Sequence, residues 1–164
     1  LANLLDDSNE AIGMYDGRYK WKKEANVKPV SITGDDPASS RYTPAFLAGF
    51  QLLRKELNID FDRVIRSSTQ HVSHNWIRDL KLWPSDALAA AMHRNPNLKA
   101  FFMSGKYDLC TTAGIARYLA SHSNLDPARV QFATYPSGHM AYIGRESARQ
   151  LAEDMRAFYA STLR

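Results

Sequence analysis

Apolar residues recur at helical spacing over Phe46, Leu47, Phe50, Leu53 and Leu57. Thr43-Pro44 precedes them as a capping residue followed by a proline at the first helical position. The spacing predicts a helix over about 43–57. Trp83-Pro84-Ser85 opens a second helix, with Ser85 as cap and Asp86 in the first turn, where the helix dipole favours it. That helix ends near Asn95-Pro96. Beyond it, Leu98 to Ser104 is a mainly apolar run of strand length closed by Gly105. Thr112 to Ser121 reads as a short helix with Ile115 and Leu119 inward, and Asp126-Pro127 as a turn. Arg129 to Tyr135 is a second strand, ended by Pro136. Gly144 to Leu163 is a final helix with Ala148, Leu151, Met155 and Phe158 on one stripe.

Strand, helix, strand, helix predicts an α/β fold with two parallel strands joined by a right-handed crossover. The first 41 residues show neither period and carry Gly13, Gly17, Gly34, Pro29 and Pro37. They are expected to be irregular. Residues 61–82 are ambiguous: Phe61, Val64 and Ile65 suit a short element, and the stretch around His71, His74, Asn75 and Trp76 reads as loop. The chain therefore divides into a mostly helical or irregular segment over 1–82 and an α/β segment over 83–164. Two parallel strands are too few for a stable sheet. Together with the opening Leu1-Ala2-Asn3-Leu4, this sets the expectation that the 164 residues are part of a longer protein, and that they meet either its missing portion or a second copy.

Composition narrows the function classes. Apolar residues make up 45% of the chain and aromatics 11%, which excludes disorder as the main state. No apolar run reaches the ~18 residues of a spanning helix, so no membrane is expected as partner. The net charge of +4 comes from scattered rather than clustered basic residues, which argues against nucleic acid. Cys110 is the single cysteine, so neither an internal disulfide nor a cysteine zinc site is available.

In α/β sheets functional groups gather beyond the carboxyl ends of the strands. The first predicted strand runs out into Gly105-Lys106-Tyr107-Asp108 and the second into Pro136-Ser137-Gly138-His139. Neighbouring strands lie about 4.8 Å apart, so the two loops can touch. A carboxylate there can accept the Nδ1 proton of the imidazole, fix its tautomer and leave Nε2 as a general base. Asp108 and His139 are thus the candidate catalytic pair. Asp108 alone reads more readily as a helix cap and His139 alone as a loop residue; their matching positions reverse that and make the pair.

Gly105-Lys106-Tyr107-Asp108-Leu109 and Tyr135-Pro136-Ser137-Gly138-His139-Met140-Ala141-Tyr142 resemble the Asp and His segments of α/β-hydrolases. More narrowly, they resemble bacterial members of the serine carboxypeptidase family, in which Gly-x-x-Asp and Gly-His-Met follow one another in this order. Upstream, Gly13-Met14-Tyr15-Asp16-Gly17-Arg18 is similar to a Gly-Arg-Tyr-Asp-Gly-Arg stretch of that subfamily, and Asp36-Pro37, Tyr42 and Asn75-Trp76 continue the likeness. The resemblance implies the carboxyl-terminal portion of an α/β-hydrolase sheet, preceded by an insertion over the active site. It implies a peptide substrate, no cofactor and an exported or periplasmic setting. Asp108 and His139 would be two members of a Ser-Asp-His triad.

The nucleophile of that triad stands on a Gly-x-Ser-x-Gly elbow, and no such motif occurs here: Ser137 has no glycine two residues before it, and Ser104 has Phe102 there. The serine and the oxyanion donors are therefore expected outside this chain. An aminopeptidase or esterase of the same superfamily, or a non-catalytic piece that associates through its sheet edge, remain the alternatives. Lesser candidates are Met140 as a residue lining a substrate pocket, Arg18 amid aromatics as an anion contact or a cation–π packing group, and Cys110 as a small core residue or a nucleophile. His71-x-x-His74 with Asp79 lacks the helical context of a zinc site, so no metal is expected.

Overall fold

The computed structural model describes residues 5–23, 36–60, 75–77 and 83–163. His71, His74 and Asp79, with Phe61, Val64 and Ile65, lie outside them. The chain forms two compact units, one of Leu1–Met14 with Arg18–Ile77, the other of Tyr15–Gly17 with Arg78–Arg164.

In the first unit, β1 (Glu10–Ile12) pairs antiparallel with β2 (Lys20–Lys22), Ala11 opposite Trp21. These residues were expected to be irregular. Three-residue strands are too short to show alternation, so the hairpin leaves no pattern in the sequence. The Lys20 ammonium reaches Glu10 Oε2 at 2.8 Å.

α1 (Pro37–Glu56) starts six residues before the expected boundary, and its cap is Asp36 rather than Thr43. Asp36 Oδ1 accepts from the amides of Ala38 and Ser39, both at 3.0 Å, and Pro37 occupies the first turn. An aspartate cap followed by proline is the stronger start signal. Pro44 then sits inside the helix, where it removes the bond to the Ser40 carbonyl. Ser40 is exposed. The other oxygen of Asp36 accepts from the Met14 amide. Tyr19 meets Tyr42 edge to face at 5.5 Å and docks the hairpin on α1.

The second unit is an α–β–α–β–α arrangement: α2 (Pro84–Arg94), β3 (Ala100–Gly105), α3 (Ala113–His122), β4 (Val130–Tyr135) and α4 (Arg145–Thr162). α2 has no side-chain cap: Trp83 takes the capping position and Ser85 lies within the first turn. Arg129 closes its other end, with Nη1 on the carbonyls of Met92 (3.0 Å), Asn95 and Pro96 (both 3.1 Å). A cation at the carbonyl end of a helix complements its dipole.

β3 and β4 are parallel and in step, Phe102 opposite Phe132 and Gly105 opposite Tyr135. Phe102 and Phe132 stack at 5.3 Å, and the Arg117 guanidinium of α3 covers the Phe132 ring at 4.8 Å. Alternation puts Phe101 and Tyr135 on the other face. There Phe101 stacks on Phe158 of α4 at 5.3 Å, and the Tyr135 hydroxyl donates to Asp154 at 2.9 Å. Burial and the Asp154 carboxylate push the ionisation of Tyr135 upward, so this buried hydroxyl stays a donor. The chain is thus mixed α/β, with helices on both faces of a two-stranded parallel sheet.

Ile115 and Leu119 of α3 were expected inward and are 50% and 45% exposed. A two-stranded sheet is too narrow to cover them. Cys110 is likewise exposed and is not a core residue. The stripe on α4 follows expectation: Ala148, Leu151, Met155 and Phe158 are all half-buried.

Candidate active site

Asp108 lies three residues beyond β3 and His139 four beyond β4, on the same carboxyl edge. The first loop folds back on the strand ends. Lys106 N donates to Tyr135 O at 2.8 Å and Tyr107 N to Ser137 O at 3.0 Å. Glycine is required where the loops touch: a Cβ on Gly105 would collide with the carbonyls of Ser137 and Gly138. His139 Nδ1 lies 3.0 Å from Asp108 Oδ2, so the geometry brings the expected pair together. The Asp108 side chain is 2% exposed and that of His139 40%.

The carboxylate is saturated with donors. Oδ1 accepts from the amides of Cys110 (2.8 Å) and Thr111 (3.1 Å). Oδ2 accepts from the Thr111 hydroxyl at 2.6 Å, besides facing the imidazole. Burial pushes the Asp108 carboxyl upward, but the Thr111 hydroxyl and amide, the imidazole and the Cys110 amide together bring it below the ordinary carboxylate value. Asp108 is therefore an anion across the neutral range. With its Nδ1 committed to this anion and the ring still partly exposed, His139 presents Nε2 as the nitrogen free to meet a reacting group.

The His139 loop is held differently. Its amide donates to the Tyr15 carbonyl at 2.6 Å, and the Tyr15 ring lies 5.1 Å from the imidazole at a 52° tilt. Gly17 N donates to Tyr107 O at 2.8 Å, so Tyr15–Gly17 forms a strap across both loops. A Cβ on Gly138 would run into the Tyr15 carbonyl and the Asp16 side chain. Asp16 is fully buried. Ser137 is also fully buried, and its hydroxyl donates to the Met140 carbonyl at 2.7 Å, which tightens the turn around His139. That commitment disqualifies Ser137 as a nucleophile.

Met140 is half-buried beside His139 and contributes its carbonyl to this turn and to the Ile143 amide at 3.0 Å. The Arg18 guanidinium lies 5.9 Å from the Tyr19 ring centroid, a cation–π contact. Cys110 serves through its backbone amide. Thr111 and Tyr15 are the contributors that the sequence reading missed. Thr111 had a signal, since a hydroxyl three residues after an aspartate is placed to fold back on it. Tyr15 had only its place in the Gly13–Arg18 stretch, which does not reveal its long-range contacts with the His139 loop.

Among the described residues no group of His, Cys, Asp and Glu is placed to hold a metal ion, and no helix is long and apolar enough to cross a membrane. No protein-family model matches the chain, and neither a curated protein nor a solved structure matches it. The geometry itself defines the class of site: a buried carboxylate orienting a partly exposed imidazole at the carboxyl edge of parallel strands.

Proposed function

We propose that Asp108 and His139 are the orienting acid and the general base of a serine carboxypeptidase-like hydrolase of the α/β-hydrolase superfamily. Its nucleophilic serine would come from polypeptide outside these 164 residues. The observation that carries the reading is the 3.0 Å contact between His139 Nδ1 and a buried, donor-saturated carboxylate beyond the ends of two parallel strands. The order of Asp before His and the segments around Gly105, Gly138 and Gly13 support it. So does the sheet: β3 and β4 pair only with each other among the described residues, and in this proposal the serine-bearing polypeptide supplies further strands.

In this mechanism His139 Nε2 takes the serine proton as the oxygen attacks the scissile carbonyl. The imidazolium then gives that proton to the leaving amine, and Asp108 stabilises it meanwhile. Water, deprotonated by the same nitrogen, releases the acyl group and restores the serine. No cofactor takes part.

The test compares this chain with a longer product of the same gene on three substrates: an amino-blocked dipeptide, a free-amine dipeptide and a simple ester. A serine-directed fluorophosphonate runs alongside. The chain alone is expected to give no turnover and no labelling, because in this reading the nucleophile and the oxyanion donors lie outside it, and one such donor alone is worth roughly 10²–10³ in rate. The longer product is expected to cleave the blocked dipeptide. Labelling of a serine within the 164 residues overturns the proposal, and so does a longer product that is inert to the probe. Preference for the free-amine dipeptide or the ester replaces carboxypeptidase with aminopeptidase or esterase.

A further inference from the structure

Three atoms form a small triangle at the centre of the site: Asp108 Oδ2, Thr111 Oγ1 and His139 Nδ1. Its sides are 2.6 Å from Oγ1 to Oδ2, 3.0 Å from Nδ1 to Oδ2 and 3.1 Å from Oγ1 to Nδ1. All three are acceptors, and Asp108 is an anion with no proton to offer. If Nδ1 were bare, the triangle would hold the threonine proton alone, and at least one side would set lone pair against lone pair. Turning the hydroxyl toward Nδ1 would strip the 2.6 Å contact with the carboxylate, the shortest of the three. One arrangement satisfies every side: the hydroxyl donates to Oδ2, and Nδ1 carries a proton shared between Oδ2 and the threonine lone pair.

We propose that Thr111 is a positioning residue that fixes the Asp108 carboxylate in the place from which it sets the tautomer of His139. The Thr111 hydroxyl commits its proton to Oδ2 and keeps that oxygen facing the imidazole, so that Nδ1 is the donor and Nε2 the basic atom. The catalytic meaning of this rests on the reading of His139 as general base, whereas the proton arrangement itself does not. The backbone suits the task. The Thr111 amide is bonded to Asp108 Oδ1 at 3.1 Å while its hydroxyl is bonded to Oδ2, so the residue grips both carboxylate oxygens and has little freedom to turn away. Against burial, which pushes the Asp108 carboxyl up, the Thr111 hydroxyl heads the donors that bring it down. The groups facing the imidazole within the site are Asp108, the Thr111 hydroxyl and the Tyr15 ring; Asp16 stands behind Gly138.

The experiment uses the 164-residue chain labelled with ¹⁵N and ¹³C, at a pH where the ring is neutral. His139→Gln assigns the His139 signals by their loss. A long-range ¹H–¹⁵N spectrum is expected to show Nδ1 as the protonated nitrogen and Nε2 as the bare one. In Thr111→Val, which keeps the shape and loses the hydroxyl, both nitrogen signals should shift as the carboxylate loosens while Nδ1 stays the protonated one, and the Asp108 carboxyl carbon should titrate at higher pH. Thr111→Ser should restore both. A wild-type spectrum with the proton on Nε2 overturns the proposal without any variant. Thr111→Val with unchanged nitrogen signals and unchanged Asp108 titration overturns it as well. Because no turnover is read, a wrong assignment of the peptidase activity leaves this result standing, and the reverse holds for the fluorophosphonate test.

Discussion

The loop that carries Asp108 and the loop that carries His139 are held by opposite means. Asp108 is held mostly by its own neighbourhood: the amides of Cys110 and Thr111 and the Thr111 hydroxyl all come from the next three residues. His139 is held from far away in sequence. Its amide is fixed by the Tyr15 carbonyl and its ring flanked by the Tyr15 ring, while Gly138 is confined by Tyr15 and Asp16. An anion needs several donors at once, and a short turn delivers them at no cost in long-range order. An imidazole needs orientation with an open side, which is better set by a strap behind it. The contrast teaches that one partner of the pair is prepared locally and the other by tertiary structure.

The largest effect should come from Asp108→Asn in a product that contains the proposed serine. The Asn carbonyl still accepts from the Cys110 and Thr111 amides, so the loop keeps its shape. Its amide group then points a donor at the triangle, which drives the proton from Nδ1 to Nε2. The rate should fall about 10⁴-fold with folding intact, measured as kcat/KM beside the far-ultraviolet spectrum. A loss below about tenfold would mean that Asp108 does not orient the base.

Gly138→Ala attacks the other loop. The new methyl meets the backbone of Tyr15 and the Asp16 side chain, neither of which can yield without lifting the strap. The expected loss is about 1–3 kcal/mol, read from urea unfolding. Gly49→Ala supplies the foil: it lies inside α1 with nothing near its added methyl, and helix propensity predicts a gain of about 1 kcal/mol. Equal effects at the two glycines would deny the strap its role.

Acid should separate the loops again. Asp108 holds its proton off to lower pH in the folded chain than its ordinary value of 3.8. Its contribution is therefore fully present above that value and is lost as pH falls through the lower folded-state value. Wild type should lose stability more steeply than Asp108→Asn as the pH falls below about 4, seen as converging urea midpoints. Parallel curves would show that folding does not lower the Asp108 carboxyl from its ordinary value.

Legibility in the sequence followed the same division. The order β3, α3, β4, α4 was readable because each element carries its own period and stop signals, such as Gly105 and Pro136. The strand ends brought Asp108 and His139 to one edge by topology alone. α1 was misread at its start because Pro44 imitates a first-turn proline, while the stronger Asp36-Pro37 signal lay in a stretch without period. The hairpin of β1 and β2 was missed because three-residue strands leave no pattern. Ile115 and Leu119 kept the spacing of an inward stripe although the sheet beside them is too narrow to bury it. Burial depends on what else is present, which periodicity does not report.

The smallest effect distinguishes the two contributions of Tyr15. Its carbonyl belongs to the backbone and survives any substitution, so Tyr15→Leu keeps the 2.6 Å bond to the His139 amide and removes only the ring. A ring against an imidazole is worth about 0.5–1.5 kcal/mol beyond its buried area. Tyr15→Leu should therefore cost about that much stability and displace the His139 ring-proton signals, which sense the aromatic current of Tyr15. Tyr15→Phe keeps the ring and should leave those signals near their wild-type positions. If Phe disturbs them as much as Leu does, the phenol hydroxyl rather than the ring holds the side chain, and the strap acts on His139 through its backbone alone.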